Sequence, residues 1–235
     1  MSKDYRKVLL FLSMILTLSL ILLTSCSKSK GTSPMQFEKQ ENQRIVRINI
    51  RDMGAVTFRM FAEQEPEAVS RFIDKCRSGY YNGTTFFEVI EDYLAMGGKE
   101  TSSEQDKVKV RGSGELYPFR GSLCANLGSD GKCSLNSFYL ITLDPKELEN
   151  IKELVEHKGY TFSDYIKFGY KTELTPDELG LFMEYGGAPW LYGHTAVLGQ
   201  VIEGMEVIDT IITKTAEAKE AEEEFTAVID SIDTD

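Results

Sequence analysis

The chain has 235 residues, with 26 lysines and arginines against 37 aspartates and glutamates, and a formal net charge of −11. Its 42% of hydrophobic, 11% of aromatic and 27% of charged residues are near the globular average, which excludes a wholly disordered or fibrous chain. The length suits one large domain or two small ones, and the acidic balance disfavours nucleic acid and anionic lipid headgroups as main partners.

The first 25 residues have the pattern of a secretory signal. Three basic residues precede an apolar run over residues 9–23, which is short for a membrane span of roughly 20 residues. Leu-Thr-Ser-Cys at residues 23–26 resembles a bacterial lipobox, in which Cys26 is diacylated and becomes the new N-terminus. We therefore expect residues 1–25 to be a lipoprotein signal peptide. An ordinary signal peptide and an uncleaved anchor are the alternatives.

Residues 26–43 predict a flexible, lipidated tether. They are rich in Ser, Lys, Gly, Gln and Glu and have no hydrophobic period, so they would span roughly 20–25 Å. Loss of residues 1–25 removes three basic residues and one acidic residue, which leaves a mature net charge of −13. Because Ser27 is not acidic, we expect an anchor in the outer membrane that faces the periplasm. We also expect the protein to be a monomer.

The folded domain, 44–235, opens with two alternating runs. Val46, Ile48 and Ile50 share one face, and alternation resumes over residues 56–60 after Gly54, which predicts a β-hairpin. An amphipathic helix then begins at Pro66 and ends at Ser78-Gly79. Further strand candidates are 85–90, 108–110, 122–126, 138–142 and 196–201. Many short strands and few helices predict an antiparallel barrel or sandwich.

Residues 144–187 interrupt these strands with helical patterns. Leu148, Ile151 and Val155 recur at helical spacing, and Thr175-Pro176-Asp177-Glu178 combines an N-cap, a first-turn proline and a capping-box glutamate. The segment predicts a helical-hairpin insertion. A long structured insertion is often a lid or a binding surface, and a passive elaboration is the alternative.

Four segments, in order, resemble the cyclophilin-type peptidyl-prolyl isomerase family. Residues 78–86 (S-G-Y-Y-N-G-T-T-F) are close to the family's S-G-Y-Y-D-G-T-x-F, and residues 197–209 to its V-F-G-x-V-x-E-G-M-D-V-V-D. The insertion resembles that of exported cyclophilins from Bacteroidetes-type bacteria. The resemblance implies a mostly β fold, namely a closed eight-stranded antiparallel barrel with capping helices, and it implies isomerisation of X–Pro bonds.

The catalytic motif is where the chain departs from the family. F-H-R-V-I-P-G-F-M-I-Q-G-G aligns without gaps to residues 86–98, which puts Glu88 at the catalytic arginine and Met96 at the glutamine. S-Q-F-F-I aligns to residues 136–140 and puts Ser137 at a second glutamine. An ionised carboxylate only accepts hydrogen bonds, and loss of one active-site donor costs about 10²–10³ in rate. We therefore expect weakened catalysis.

Two further positions of the catalytic set stay open. The family's histidine falls on Thr195 without a gap, or on His194 if the loop has lost one residue. Arg111 or Arg120, from a neighbouring loop, is a candidate to replace the missing arginine.

The resemblance implies that the apolar seat for proline is kept. Aromatic or aliphatic residues occupy the matching positions Tyr93, Leu94, Tyr139, Trp190 and Leu191, with Asn126 and Ser137 as further substrate contacts. Plain core packing is the alternative for these residues. Two functions follow: a weakened isomerase of exported proteins, or a non-catalytic, chaperone-like module that binds proline-containing or extended polypeptide.

Other chemistry has little support in the sequence. The chain has two histidines and no cluster at metal-ligand spacing, so we expect no metal and no cofactor. Glu88, Glu91 and Asp92 are interpreted as a solvated acidic loop. The spacing of Cys124 and Cys133 does not decide whether they pair.

Overall fold

The computed structural model describes residues 34–39, 43–101, 107–111, 114–128 and 131–235. The chain divides into two compact units, Met1–Pro34 and Met35–Asp235, and the description below concerns the second. The predicted signal peptide and Cys26 lie outside the described residues. Within those residues, no helix combines the length and the apolar character that crossing a bilayer requires.

Within the described ranges, nine strands form one antiparallel sheet. The order of neighbours is β3-β4-β7-β6-β8-β2-β1-β9, and β5 pairs with β7 beside this path. The strands are β1 (Ile45–Ile50), β2 (Gly54–Met60), β3 (Thr85–Ile90), β4 (Leu94–Gly98), β5 (Lys107–Val108), β6 (Ser122–Leu127), β7 (Cys133–Ile141), β8 (Val197–Glu203) and β9 (Ile229–Thr234).

The sheet is an open, curled half-barrel, so the prediction of a closed barrel is wrong. Its two edge strands, β3 and β9, meet through an isolated bridge between Thr85, the first residue of β3, and Val228, the residue before β9. Immediately afterwards the pairing of β3 with β4 shifts register between Phe86 and Glu88. A bulge bends its strand, and the described backbone hydrogen bonds between the two edges are confined to residues 83–86 and 227–229.

Two helices pack against the sheet around its main core. In α1 (Pro66–Arg77), proline occupies the first turn and basic residues the last, an arrangement that favours a helix. Its buried side chains are Ala68, Val69, Phe72, Ile73 and Cys76. The second, α5 (Met205–Glu220), follows Gly204, whose φ of 88° lies in the left-handed region that favours glycine. Together with the sheet these helices enclose the main core.

The insertion contains three helices and not the predicted hairpin. They are α2 (Pro145–His157), α3 (Phe162–Tyr170) and α4 (Pro176–Tyr185). The additional helix, α3, arises because the Thr161 side chain accepts a hydrogen bond from the Asp164 backbone amide, at 3.1 Å, and so caps a new N-terminus. The insertion has its own apolar core, which includes Leu148, Phe162 and Phe182 and continues into the sheet at Tyr139.

A short N-terminal strap, residues 35–38, is docked on the domain, although the sequence places these residues in the tether. Gln36 is fully buried; its side-chain amide donates to the Tyr117 carbonyl at 2.8 Å and its side-chain carbonyl accepts from the Tyr117 amide at 2.6 Å. The Arg59 guanidinium also donates to the Gln36 carbonyl, at 2.6 Å. A buried amide that satisfies both a donor and an acceptor holds its segment in place, so the domain begins near residue 35.

The three cysteines of the domain, Cys76, Cys124 and Cys133, are buried free thiols. Burial raises the pKa of Cys76 to about 12, and it also raises the pKa of Cys124. Both are therefore protonated, and a buried thiol behaves as a small apolar side chain.

Candidate functional site

Four of the aligned site residues line one open pocket of about 550 Å³, called here the polar pocket. Glu88 on β3 lies opposite Met96 on β4, and Ser137 on β7 lies opposite Gly98 at the end of β4. From β6, the Asn126 side-chain amide donates to the Ser137 hydroxyl at 2.9 Å. The other lining residues are Phe87, Lys99, Glu100 and Thr101.

Lys99 supplies a cation to the polar pocket that the sequence reasoning missed. Its ammonium lies 3.9 Å from the centre of the Tyr80 ring, within the range of a cation–π contact. The ring is held in turn, because the Tyr80 hydroxyl donates to the Asn136 side chain at 2.9 Å. Lys99 directly follows Gly98, the last residue of the aligned catalytic motif. This position is the sequence feature from which Lys99 could have been predicted as a site residue. An ammonium donates hydrogen bonds, so the pocket retains one charged donor.

The two arginines considered as replacements lie elsewhere. Arg120 donates to both carboxylate oxygens of Asp209 on α5, each at 2.8 Å. Arg111 lies beside Glu65. Burial raises the pKa of the Glu65 carboxyl, and the charge of Arg111 lowers it by a smaller amount. Neither arginine is among the residues that line the polar pocket.

Leu94 and Tyr139, two of the expected proline contacts, are buried. The Tyr139 hydroxyl makes no hydrogen bond to the described residues, and burial raises its pKa well above the ordinary value. The hydroxyl lies near Cys124 and Thr195. Neither Leu94 nor Tyr139 is among the residues that line the polar pocket.

The two candidates for the histidine position also lie away from the polar pocket. Thr195 is buried and its hydroxyl donates to the Ala125 carbonyl at 3.1 Å. It lines a small cavity of about 90 Å³ together with Glu65. His194 is half-buried in the turn before β8, where its backbone amide donates to the Leu191 carbonyl at 3.0 Å, and Leu191 itself is half-buried.

Tyr93 and Trp190 line a second cavity of about 430 Å³, called here the insertion groove. The Trp190 indole N–H donates to the Tyr93 hydroxyl at 2.9 Å. The Tyr170 ring stacks on Trp190 with 5.7 Å between ring centres and 29° between planes. The lining residues are Glu91, Asp92, Tyr93, Leu143, Glu147, Ile151, Tyr165, Tyr170 and Trp190. The insertion thus supplies one wall and the β3–β4 turn the other.

The aligned site residues are therefore divided between two cavities. Glu88 and Met96 belong to the polar pocket, whereas Tyr93 and Trp190 belong to the insertion groove. The β3–β4 hairpin contributes to both cavities, because Glu88 lies on β3 and Tyr93 lies in the turn before β4. Across the described ranges, no three potential His, Cys, Asp or Glu ligands gather around one point.

Comparison with known proteins points to one family. The family model of the cyclophilin type peptidyl-prolyl cis-trans isomerases matches residues 45–233. A candidate peptidyl-prolyl cis-trans isomerase of Staphylococcus epidermidis is 28% identical over 207 residues, which cover 84% of this chain and 95% of that protein. A corresponding protein of Staphylococcus haemolyticus is 26% identical and covers 84% and 94%.

Solved structures agree on the fold. The crystal structure of a Cryptosporidium parvum cyclophilin type peptidyl-prolyl cis-trans isomerase superposes with a TM-score of 0.53 at 20% identity, over 82% of this chain and 98% of that one. A structure of the same protein in the presence of the dipeptide Ala-Pro gives a TM-score of 0.50 at 21% identity, over 80% and 96%.

Proposed function

Because the chain belongs to the cyclophilin-type peptidyl-prolyl cis-trans isomerase family, we propose that it isomerises X–Pro bonds of exported proteins with weakened catalysis. The observation that carries this proposal is Glu88. This side chain is exposed and lines the polar pocket, at the position where the family has its catalytic arginine.

The reaction explains why the exchange matters. Rotation about an X–Pro bond meets a barrier of about 18–20 kcal/mol that arises from amide resonance. No proton or covalent intermediate is needed, so an enzyme acts by holding the proline ring and donating hydrogen bonds to the twisted amide. Glu88 cannot donate when ionised. The donors left in the polar pocket are Lys99, Asn126 and the hydroxyls of Thr101 and Ser137, which support a reduced rate.

The place of action follows from the N-terminal sequence. We propose that residues 1–25 are removed, that Cys26 is acylated, and that the protein works as a monomer on the outer membrane, facing the periplasm. More than one acyl chain on a single residue anchors stably, where one chain alone does not. The substrates would then be exported polypeptides that fold near the membrane surface.

A second function has its own support. The aromatic walls of the insertion groove are retained, with Trp190 stacked against Tyr170, while the charged donor of the family motif is lost. A chaperone-like module that binds proline-containing or extended polypeptide without catalysis would have this combination.

The deciding experiment compares isomerisation rates of the full chain in detergent with those of Glu88→Arg and of Glu88→Arg with Met96→Gln. We expect slow but measurable isomerisation of an Ala-Pro peptide by the parent, and a rise in kcat/KM of about tenfold or more in the variants. The restored guanidinium supplies the donor whose loss costs about 10²–10³.

Glu203→Arg is the matched control, since Glu203 is an exposed strand carboxylate on β8, outside the polar pocket. It should leave the rate unchanged. A parent that already isomerises fast, and does not respond to Glu88→Arg, would contradict weakened catalysis. A parent that binds the peptide and never isomerises it would favour the second function.

A further inference from the structure

A cavity of about 600 Å³, called here the strap cavity, lies beside the N-terminal strap. Two cationic residues, Lys39 and Arg59, line it, and no aspartate or glutamate is among its described lining residues. None of these residues lines the polar pocket or the insertion groove. The apolar part of the lining is formed by Phe37, Ile45, Val201 and Ile202. The strap cavity therefore combines positive charge with apolar surface.

Arg59 is directed towards the strap by the pleat of β2. Its neighbours Phe58 and Met60 belong to the main core, and successive side chains of a strand point to opposite faces. Arg59 therefore lies on the other face, where it is only 6% exposed. Its guanidinium donates to the backbone carbonyls of Gln36, at 2.6 Å, and of Glu38. These two bonds hold the strap.

The guanidinium has more hydrogen-bonding capacity than the strap uses. A guanidinium carries five N–H donors, and Arg59 makes two hydrogen bonds to described residues. Its Nε atom is buried and has no partner in the described part of the chain, and no described carboxylate forms an ion pair with it. Burial lowers the pKa of Arg59, as expected for a buried charge without a counter-ion. Because such a charge is costly to bury, an anion in the strap cavity would stabilise it.

The open side of the strap cavity adds a second cation and an exposed apolar side chain. Lys39 directly follows the strap and is exposed. Ile202, on β8, is 49% exposed although its side chain is large and apolar. Arginine and lysine together suit a phosphate, whose oxygens accept several charge-assisted hydrogen bonds. The apolar side chains suit a hydrocarbon chain carried by that phosphate.

We propose that the strap cavity binds the phosphate of a phospholipid headgroup, with the first carbons of the lipid chains against Phe37 and Ile202. The net charge of −11 disfavours a strongly anionic surface as a whole. The proposed ligand is therefore a single phosphate, which zwitterionic lipids also carry.

The place of the cavity along the chain favours a lipid over a free phosphate ester. Cys26 lies nine residues before Met35, where the strap begins, and nine fully extended residues reach about 30 Å. An acylated Cys26, as proposed above, would keep the strap within about that distance of the bilayer surface. This step rests on the proposed place of action, whereas the charge and shape of the cavity do not.

The test uses water-soluble ligands, so that binding is measured independently of the lipid anchor. Isothermal calorimetry on the full chain in nonionic detergent compares three of them: dihexanoyl phosphatidate, glycerol 3-phosphate and dihexanoyl glycerol. The first carries both the phosphate and short acyl chains, and each of the others lacks one of these parts. We expect dihexanoyl phosphatidate to bind about tenfold or more tightly than either of the others, and more weakly at high salt.

Two surface variants test the assignment without removing the bonds between Arg59 and the strap. Lys39→Gln should weaken binding of dihexanoyl phosphatidate about threefold to fivefold, as expected for one exposed charge. Ile202→Glu should weaken it about tenfold or more, because a carboxylate repels the phosphate and removes an apolar contact. Lys158→Gln, at an exposed position after α2 and outside the cavity, is the control and should leave the Kd unchanged.

Equal effects of Lys39→Gln and Lys158→Gln would overturn the proposal. If glycerol 3-phosphate binds as tightly as dihexanoyl phosphatidate, the site takes a free phosphate ester and the lipid assignment fails. If dihexanoyl glycerol binds as tightly, the phosphate contributes nothing and the proposal fails as well. None of these measurements depends on isomerisation or on acylation of Cys26, so a failure here is distinguishable from a failure of the proposed function.

Discussion

Glu65 is a buried carboxylate whose protonation couples stability to pH. It precedes α1, is 3% exposed, and burial raises its pKa to about 7, with Arg111 acting in the opposite direction. The folded protein therefore keeps a proton that the unfolded chain releases near the ordinary value of 4.5. The stability that this proton contributes is complete below about pH 4.5 and is lost as the pH rises through about 7.

Glu65→Gln removes this dependence. We expect the variant to be more stable than the parent at pH 8, by about 1–3 kcal/mol, because an amide carries no charge to bury. The difference should shrink towards zero near pH 5. Urea unfolding at pH 5, 6, 7 and 8 measures it.

Glu63→Gln provides the comparison, since Glu63 is an exposed carboxylate in the same turn. Its unfolding midpoint should follow that of the parent at each pH. A gap between Glu65→Gln and the parent that is constant across the pH range would contradict the assignment.

Residue positions could be predicted from the sequence where strands pair in register. Glu88, Met96 and Ser137 came from ungapped alignment, and pairing of β3, β4 and β7 brings them to one pocket. Lys99 and Glu65 were missed for a physical reason. The position of the Lys99 ammonium depends on the Tyr80 ring, which comes from the end of a distant helix, and no local pattern encodes that contact.

At the scale of the element, the insertion owes its shape to its caps. The side chains of Asp144, Thr161 and Thr175 accept hydrogen bonds at the N-termini of α2, α3 and α4 respectively. The third is a full capping box, in which the Glu178 carboxylate accepts from the Thr175 amide at 2.7 Å. Since α3 supplies Tyr170 to the insertion groove, the caps also set the shape of a candidate binding surface.

Thr175→Ala should lower the free energy of unfolding by about 1 kcal/mol, because it removes both the hydroxyl acceptor and its contact with Glu178. Thermal and urea unfolding measure the change. Thr210→Ala is the comparison, since Thr210 lies inside α5 and its hydroxyl bonds only the Glu206 carbonyl one turn earlier, at 2.7 Å. Equal losses in both variants would show that the cap contributes nothing specific.

Two strands escaped sequence prediction for identifiable reasons. β4 (Leu94–Gly98) ends in two glycines, which in a sequence indicate a turn. At Gly98, however, a β-carbon would collide with the backbone of β7, and φ is 107°, so close strand approach explains the glycine. β9 (Ile229–Thr234) has only two buried isoleucines among polar residues, too weak an alternation to separate it from the acidic segment before it.

At the scale of the molecule, buried hydrogen bonds hold the N-terminal strap against the domain. The strap fixes where the domain begins, through Gln36. The lipid anchor proposed at Cys26 lies outside the described residues, and we expect a change there to affect location without affecting stability.

Cys26→Ser should abolish incorporation of labelled palmitate in a bacterial host and move the protein out of the membrane fraction. The sulfur of the cysteine side chain is the atom that carries the diacylglycerol, and the serine hydroxyl does not replace it. Ser25→Ala keeps a small residue before the cysteine and should leave labelling intact. Labelling that survives in Cys26→Ser, or membrane association that does not change, would contradict the lipoprotein assignment.

The pairing of β1 with β9 joins the two ends of the domain. Val46 lies opposite Thr234, and the Ile45 amide donates to the Asp235 side chain at 2.9 Å. A chain that emerges N-terminus first gains this pairing only after β9 has been made, and until then the edge of β1 is open to other chains. Contacts of such sequence separation form slowly. A chain that stalls before residues 229–234 are made would therefore be left with an exposed, aggregation-prone edge on β1.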